Sequence, residues 1–299
     1  MIELKSVTKK FGDFTAVENL SFKVDKASVY GLVGYNGAGK TTVLKTVAGV
    51  YRPDGGEVLI DGENVFDSAR QKAKIFYVPD DLYFEPYASL YDMAKFYSGY
   101  YKDFSFETFD KLINVFGLDK KARINSFSKG MQRQGELVLG MSTNPKILLL
   151  DESFDGLDPS KRNLMNNMVM EYMAERECSV IVSSHNLHEL AGICDRIALI
   201  GGKKLVMDCN VDDISASRAK FRVVFEDEKT QADFIAINHK NFKKDGKIIT
   251  FVVEGNFDEA EHKLNAMKPL LVEKYPLSLE EIFLAEMEGS DYDFKEIFG

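Results

Sequence analysis

The chain has 299 residues, of which 45% are hydrophobic, so it can bury a full core in one large domain with a smaller appendage. Its formal net charge of −9 disfavours a nucleic-acid-binding protein, which would need a basic face. The sequence shows no apolar secretory signal and no run that approaches about eighteen apolar residues, and its three cysteines form no metal-ligand pattern. We therefore expect a cytoplasmic protein with reduced thiols that reaches a membrane only through a partner.

The N-terminal part of the chain predicts short β-strands around a strand–loop–helix unit. Residues 1–30 alternate apolar and polar side chains, which is typical of β-structure, and FGDF predicts a turn. The compact run ASVYGLVG then enters a glycine-rich segment, and GKTTVLKTVAGV carries apolar residues at helical spacing. RPDGGEVLIDGENV predicts a turn, a strand, a second turn and a second strand.

The rest of the chain changes character twice. From about residue 82 to 127 it is helical, aromatic and acidic, and KILLLDE and CSVIVSSH then predict buried strands separated by a Met-rich helix. After about residue 214 a strand (KFRVVFED), a helix (QADFIAIN) and a second strand (GKIITFVVEG) begin a new unit, which FDEAEHKLNAM and SLEEIFLAEM continue. We predict an α/β domain over residues 1–213, with a helical subdomain at about 82–127, and an accessory α+β region over 214–299.

The segment GYNGAGKTT matches the phosphate-binding pattern G-x-x-x-x-G-K-[ST], and it lies between a predicted strand and a predicted helix. Its glycines let the backbone approach phosphate oxygens, and the following helix N-terminus adds positive potential. Lys40 is expected to bridge the β- and γ-phosphates, and the Thr41 hydroxyl to coordinate Mg²⁺. The alternative is a glycine-rich turn without a ligand. The predicted nucleotide-binding residues of this loop are Gly34, Tyr35, Asn36, Gly37, Ala38, Gly39, Lys40, Thr41 and Thr42.

Two acids end the aliphatic run ILLLDE, at the carboxyl end of a predicted buried strand, where open α/β sheets bind their ligands. Asp151 suits a Mg²⁺ ligand, direct or through water, and Glu152 suits a general base that activates water. The alternative is a strand that simply ends in surface acids.

The order of five motifs resembles the nucleotide-binding subunits of ATP-binding cassette (ABC) transporters over about residues 1–213. These motifs are the phosphate loop GYNGAGKTT, the signature segment FSKGM, the Walker-B segment ILLLDE, the D-loop segment DGLDP and the switch segment VSSHNLHE. The resemblance implies an ABC-type P-loop NTPase fold, with a RecA-like core, an antiparallel β subdomain and a helical signature subdomain. It also implies ATP hydrolysis with Mg²⁺ by a dimer of this chain, or of this chain and a paralogous subunit.

The same resemblance implies roles for residues outside the phosphate loop. Phe11 corresponds to the aromatic residue that stacks on adenine, although a lone Phe in a β-region is also typical of a core. His185 corresponds to the switch histidine that contacts the γ-phosphate and orders water. Ser128 and Gly130 correspond to signature residues that face the partner's γ-phosphate. Asp158 corresponds to the D-loop aspartate that reaches across the dimer interface.

The sequence departs from the family pattern in the signature segment and again in IFYVPDDLYF, which lies outside the five motifs. The usual signature is Leu-Ser-Gly-Gly-Gln, whereas Lys129 and Met131 stand here beside the retained Ser128 and Gly130. A Ser-Lys-Gly-Met signature resembles the signatures of exporters related to bacitracin-, lantibiotic- and peptide-resistance systems. Asp80 occupies the place of the family's Gln, which contacts Mg²⁺ or water, so Asp80 is a candidate Mg²⁺ ligand through oxygen.

The aromatic insert, residues 83–116, has two interpretations. Its tyrosines and phenylalanines pack the helices, or they form a groove that receives a helix of a membrane permease. The resemblance implies a transmembrane permease as partner, with export of a hydrophobic or amphipathic peptide or drug, and a location on the inner face of the cell membrane. The alternative functions are a soluble ABC ATPase acting on nucleic acid or ribosomes, and a regulatory module without turnover.

Overall fold

The computed structural model describes residues 1–186, 190, 192–213, 218–277 and 281 of the chain. The chain divides into two compact units, Met1–Asp208 and Cys209–Gly299. Across the described residues, every helix is too short or too polar to cross a membrane. The predicted helix SLEEIFLAEM lies outside the described residues except for Glu281.

The first unit is built on two sheets and the helices that cover them. Its strands are β1 (Ile2–Phe11), β2 (Phe14–Val24), β3 (Val29–Val33), β4 (Gly55–Ile60), β5 (Glu63–Asn64), β6 (Ile75–Val78), β7 (Ile147–Asp151), β8 (Ser179–Ser184), β9 (Arg196–Gly201) and β10 (Lys204–Asn210), the last of which runs past the division between the units. The helices are α1 (Lys40–Val47), α2 (Ala69–Lys72), α3 (Leu90–Tyr100), α4 (Phe106–Phe116), α5 (Lys129–Ser142) and α6 (Pro159–Arg176), with a 3₁₀ turn at Ile124–Ser126.

The larger sheet has the strand order β10-β9-β3-β8-β7-β6. Strand β3 pairs in parallel with β8 and β9, and β7 pairs in parallel with β6 and β8. Every residue of β3, β7 and β8 is buried, which explains why these strands are continuous apolar runs rather than alternating ones. The carboxyl ends of the three strands meet at one edge of the sheet, and the segments that follow them carry the predicted catalytic residues.

The smaller sheet has the order β2-β1-β4-β5, and each of its neighbouring pairs is antiparallel. Its apolar face packs with the larger sheet and with α1 around one core, in which Leu4 and Leu20 of the smaller sheet are clustered with Val43 and Leu149. Burial of these side chains removes their apolar surface from water and holds the phosphate loop between the two sheets.

The segment predicted to be helical contains α3, α4 and the 3₁₀ turn. Ser89 and Asp92 form a capping box at the start of α3, and Ser105 caps α4, which ends at Gly117 in the left-handed conformation. These signals at helix ends explain why two short helices form here instead of one long helix.

The second unit contains a four-stranded sheet and a helix of ten residues. Its strands are β11 (Arg218–Val224), β12 (Lys240–Asp245), β13 (Ile248–Glu254) and β14 (Leu271–Pro276), its helix is α7 (Phe257–Ala266), and a 3₁₀ turn spans Gln231–Phe234. The strand order β12-β13-β11-β14, with every neighbouring pair antiparallel, is that of a ferredoxin-like β-α-β-β-α-β unit whose first helix is reduced to the 3₁₀ turn.

One prediction for this unit was wrong, and two strands were not predicted. QADFIAIN forms only the 3₁₀ turn Gln231–Phe234, because Phe234 and Ile237 alone point into the aromatic core while Ile235 is 88% exposed. Strands β12 and β14 were not predicted, because they are edge strands with mostly exposed side chains and so lack an apolar alternation. The α+β character of the region is as expected.

Candidate functional site

The phosphate loop requires glycine at two positions for steric reasons. Gly39 has a φ of 106°, and a Cβ there would lie 2.8 Å from the carbonyl oxygen of Ala16. A Cβ on Gly34 would lie 2.7 Å from the carbonyl oxygen of Ile200. The loop leads into α1, which has no side-chain cap at its N-terminus, so its first N–H groups are free of a capping side chain. This cradle fits the phosphates of ATP.

Lys40 begins α1 and is 5% exposed. Its Nζ donates hydrogen bonds to the carbonyl oxygens of Gly34 (2.7 Å) and Tyr35 (3.2 Å) and pairs with Glu152 Oε1 at 2.9 Å. The buried ammonium group is therefore held inside the loop, next to the proposed general base. Thr41 follows on the exposed side of the helix.

Asp151 is fully buried at the end of β7, and two hydroxyl groups hold its carboxylate. Tyr77 Oη donates to Oδ2 at 2.9 Å, and Ser183 Oγ donates to Oδ1 at 2.6 Å. Burial and the nearby Asp151 charge raise the pKa of Tyr77 above its usual range, so the phenol remains a donor. A buried carboxylate with neutral hydroxyl partners is a donor set that suits a hard divalent cation such as Mg²⁺.

Sequence reasoning missed Tyr77 and Ser183, because the strand order that brings them to Asp151 cannot be read from the sequence alone. Both lie at or near the carboxyl ends of the strands that flank β7, namely β6 and β8. Knowledge of the strand order would have identified them, because neighbouring parallel strands bring the residues at their ends together.

Glu152 follows Asp151 in the left-handed conformation, with a φ of 47°, and is 8% exposed. Its N–H donates to the carbonyl oxygen of Ser183 at 3.2 Å and to Ser183 Oγ at 3.1 Å. Its Oε1 faces Lys40, and its Oε2 lies 3.1 Å from His185 Nδ1. Burial opposes ionisation of Glu152, but hydrogen bonds from Lys40 and His185 outweigh it, and the pKa of the carboxyl lies below its usual value. Glu152 is therefore ionised at neutral pH, as a base must be.

His185 is held between two carboxylates. Its Nδ1 lies 3.1 Å from Glu152 Oε2 and 3.1 Å from Asp155 Oδ2. Glu152, Asp155 and His185 also form the one group of three potential metal ligands found among the described residues. Asp155 was not among the predicted site residues, because it lies three positions beyond Glu152 and only the turn between them brings it back to His185.

Asp80 and Arg133 form an ion pair that the sequence did not predict. Asp80 lies in the segment after β6, and its Oδ1 is 3.0 Å from a terminal guanidinium nitrogen of Arg133 on α5. The other terminal nitrogen of Arg133 donates to the main-chain carbonyl oxygen of Glu152. The candidate Mg²⁺ ligand Asp80 is thus engaged by a cation from the signature helix.

The signature and D-loop residues lie at helix starts. Ser128 caps α5 by accepting a hydrogen bond from the Met131 N–H at 3.3 Å, and Asp158 caps α6. A Cβ on Gly130 would lie 3.2 Å from Leu157 Cδ2, so the signature glycine packs against the D-loop. Ser128 is exposed and faces away from the core, which leaves its hydroxyl accessible to a second chain.

Phe11, at the end of β1, is 44% exposed and packs edge-on against Tyr51, with the ring centroids 5.2 Å apart. The alternative that Phe11 is a core residue is therefore wrong. Lys9 Nζ also lies over the Phe11 ring, 5.4 Å from its centroid, so Phe11 is a partly exposed surface aromatic side chain.

Known proteins resemble this chain over the region that contains the site. The family model described as "ABC transporter" matches residues 17–155. The uncharacterized ABC transporter ATP-binding protein YhcH of Bacillus subtilis (strain 168) is 33% identical over 220 residues, which cover 71% of each chain. The chain belongs to the ABC transporter ATP-binding proteins.

Two further proteins are similar to this ABC ATPase, one in sequence and one in structure. The ABC transporter ATP-binding protein YtrB of Bacillus subtilis (strain 168) is 26% identical over 292 residues, 97% of this chain and 99% of YtrB. A solved structure described as the ATP binding subunit of an ABC transporter superimposes with a TM-score of 0.67 at 24% identity, over 72% of this chain and 92% of its own. The predicted ABC-type P-loop NTPase fold and the ATPase activity are confirmed.

Proposed function

We propose that this ABC ATPase dimerises on ATP and drives a separate membrane permease, and that the system exports a hydrophobic or amphipathic peptide or drug. One observation carries the proposal: Lys40, Glu152 and His185 meet through contacts of 2.9 to 3.1 Å at the mouth of the phosphate loop. A cation, a base and a histidine in this arrangement suit hydrolysis of a phosphoanhydride by water.

Each residue has a definite task in this proposal. The loop from Gly34 to Thr42 and Lys40 hold the phosphates of ATP, and Phe11 stacks on the adenine. Thr41 and Asp151 hold Mg²⁺, which supplies charge neutralisation at the phosphates. Glu152 accepts a proton from the attacking water, and His185 orients that water and the γ-phosphate.

The second half of each site comes from the other subunit of the dimer, which is a second copy of this chain or a paralogous one. Ser128 and Gly130 present a hydroxyl and an N–H at the start of α5 to the partner's γ-phosphate, and Asp158 reaches across the interface. Binding of ATP between two surfaces then couples nucleotide occupancy to subunit association.

The aromatic insert supports a permease as partner. Some of its aromatic side chains pack inside the domain, as in the first interpretation of the sequence, and others are exposed, as in the second. Tyr97 and Tyr101 pack against Phe76 in the interior, whereas Tyr87 and Tyr100 are more than 70% exposed. Exposed aromatic side chains on and just before α3 suit docking of a partner helix, and a subunit docked in this way would lie at the inner face of the membrane through the permease alone.

The direction of transport rests on the Ser-Lys-Gly-Met signature. Relatives whose names state a direction include both a Nod factor export protein and a methionine import protein. Uptake measured in inverted membrane vesicles that contain the chain and its permease decides between the two directions, and accumulation of an amphipathic peptide inside such vesicles supports export.

The rival function in nucleic-acid handling is less well supported. DNA-repair members of the ABC family carry a long coiled coil inserted in the cassette. The insert of this chain contains α3 and α4, each of 11 residues. Helices of this length pack on the domain itself and cannot project from it as a coiled coil.

The variant Glu152→Gln tests the proposed chemistry. The amide keeps the shape of the side chain but cannot accept the proton, so ATP binding is retained while kcat falls by at least about 10²-fold. Phosphate release and equilibrium ATP binding are measured on the same preparation, and size-exclusion chromatography with ATP is expected to show an accumulated dimer. Turnover within about twofold of the parent protein would remove Glu152 from its role.

A further inference from the structure

The guanidinium group of Arg133 connects two segments that follow neighbouring strands. It contacts the carboxylate of Asp80, after β6, and the main-chain carbonyl oxygen of Glu152, after β7. The Arg133 side chain is 16% exposed, whereas that of Asp80 is 57% exposed. Because a guanidinium group is planar and presents its N–H donors in a fixed fork, the position of one partner constrains the position of the other.

The contact with Glu152 involves the part of the residue that determines where its side chain points. The Glu152 N–H is held by Ser183 of β8, and its carbonyl oxygen is held by Arg133 of α5. These two contacts hold the peptide groups on both sides of a residue whose φ is 47°, a conformation that non-glycine residues adopt at a cost of about 1–3 kcal/mol. Loss of the contact with Arg133 would therefore remove one of the two interactions that stabilise the backbone in this conformation.

The ion pair also accounts for the residue that departs from the family pattern. A carboxylate at position 80 attracts a guanidinium group as a charged partner, which an amide does not. Asp80 lies between β6 and the aromatic insert, the part of the chain proposed to dock the permease, so a movement of the insert would displace the group that orients Arg133.

We propose that Arg133 is a positioning residue for hydrolysis: Asp80 orients its guanidinium group, and that group holds the Glu152 peptide so that the carboxylate faces the phosphate loop. The inference rests on the proposed role of Glu152 as the general base. It assigns to the Asp80–Arg133 pair the communication between the insert segment and the catalytic carboxylate.

Arg133→Gln is the first test, on the purified full-length chain with Mg-ATP. Because the base is misplaced while the phosphate loop is untouched, kcat is expected to fall by about tenfold or more with the KM for ATP within about twofold. Arg218→Gln is the matched control: Arg218 is 21% exposed and pairs with Glu254 at 3.1 Å in the second unit, so kcat is expected to be unchanged. A kcat for Arg133→Gln equal to that of the control overturns the proposal.

A double-mutant cycle tests whether Asp80 acts through Arg133. Asp80→Asn is isosteric and exposed, so it is expected to fold, and it should lower kcat several-fold when Arg133 is present but not in the Arg133→Gln background. The same fold-change in both backgrounds overturns the coupling. If Arg133→Gln does not fold, Arg133→Lys replaces it, because one ammonium group cannot hold both partners and kcat is again expected to fall.

Exchange of the two charges separates positioning from simple stabilisation. In the double variant Asp80→Arg, Arg133→Asp the ion pair can re-form, but position 133 no longer has a donor for the Glu152 carbonyl. Thermal stability is therefore expected to recover while kcat does not, and recovery of kcat contradicts the proposal. If Glu152→Gln retains turnover, the general-base assignment fails independently of these results.

Discussion

Asp151 is a buried charge whose partners in the described structure are hydroxyl groups. The donors from Tyr77 and Ser183 satisfy one oxygen each, at 2.9 and 2.6 Å. Burial of a carboxylate is unfavourable unless hydrogen bonds replace its water shell, so these two hydroxyl groups stabilise the Asp151 carboxylate, the proposed Mg²⁺ ligand, in the absence of a cation.

Tyr77→Phe is predicted to destabilise the protein by about 1.5–3 kcal/mol, because a hydrogen bond to a buried charged group is lost. The free energy of unfolding is measured by urea denaturation without nucleotide. Tyr100→Phe serves as the control, since Tyr100 is 72% exposed and its hydroxyl group is in solvent. Equal stability of the two variants would show that the Tyr77 hydroxyl contributes nothing to the Asp151 site.

At the scale of elements, the packing of α5 against α3 contains a buried acid that hydrolysis does not use. Glu136 of α5 is 4% exposed; its Oε1 accepts a hydrogen bond from the Tyr97 hydroxyl at 3.2 Å, and its Oε2 has no hydrogen-bond partner in the described structure. Burial raises the pKa of Glu136 to about 7, and the Tyr97 hydrogen bond only partly opposes it. The folded protein therefore prefers this carboxyl group in its neutral form.

This preference predicts that Glu136→Gln raises the free energy of unfolding, and that the gain increases with pH. Below about pH 4.5 the Glu136 carboxyl group is protonated in both the folded and the unfolded chain. Between about pH 4.5 and 7 it is ionised in the unfolded chain but still protonated in the folded one, so the folded state loses stability as the pH rises. Above about pH 7 it is ionised in both states, and the full penalty for burying the charge applies. The gain in the free energy of unfolding is expected to be about 2 kcal/mol larger at pH 8 than at pH 5. Urea denaturation at both values measures it.

The control for this prediction is Glu107→Gln on α4, because the Glu107 side chain is 78% exposed and pairs with Lys111. No gain that grows with pH is expected there. An equal effect of Glu136→Gln at pH 5 and pH 8 would mean that Glu136 ionises as an exposed carboxyl group does.

The exposed side of the aromatic insert makes a second prediction at the same scale. Tyr87→Ala, which removes a side chain that is 73% exposed, is expected to leave ATP binding unchanged and to abolish stimulation of ATP hydrolysis by the permease. Tyr83→Ala, at 72% exposure, is a second variant of the same surface. Measurements in reconstituted vesicles that show unchanged stimulation in both variants would exclude this surface as the docking site.

For the whole molecule, the proposed division of each site between two chains predicts complementation. Lys40→Ala removes the phosphate-loop cation, and Gly130→Asp places a negative charge where the proposal has the partner's γ-phosphate, so each variant alone is expected to be inactive. In an equal mixture about half of the dimers are mixed, and each mixed dimer has one intact site of two, so activity of about a quarter of the parent value is expected.

Phosphate release from the mixture, compared with each variant alone at the same total concentration, measures this effect. Activity of the mixture equal to the sum of the separate variants would mean that each chain hydrolyses ATP without the signature residues of its partner. A mixture of Lys40→Ala with Glu152→Gln is the matched control, because both changes lie in the same half-site and still leave no mixed dimer with a complete site.

The local part of this site could be predicted from sequence because local rules determine it. Gly34 and Gly39 are required by close backbone approaches, and Lys40 follows them at the start of a helix, so a nine-residue pattern specifies the loop. Asp151 and Glu152 end a continuous apolar run, which identifies a buried strand and its ligand-binding end. Periodicity also separated the helical insert from the strands around it.

What only the tertiary structure decided is the set of contacts between segments distant in sequence. Tyr77 and Ser183 reach Asp151 because β6 and β8 flank β7, and Arg133 reaches Asp80 and Glu152 because α5 packs beside the ends of the same strands. The sequence by itself determined which chemical groups are present and which local conformations they adopt. Strand order and helix packing depend on burial summed over the whole chain, and they decided which of these groups meet.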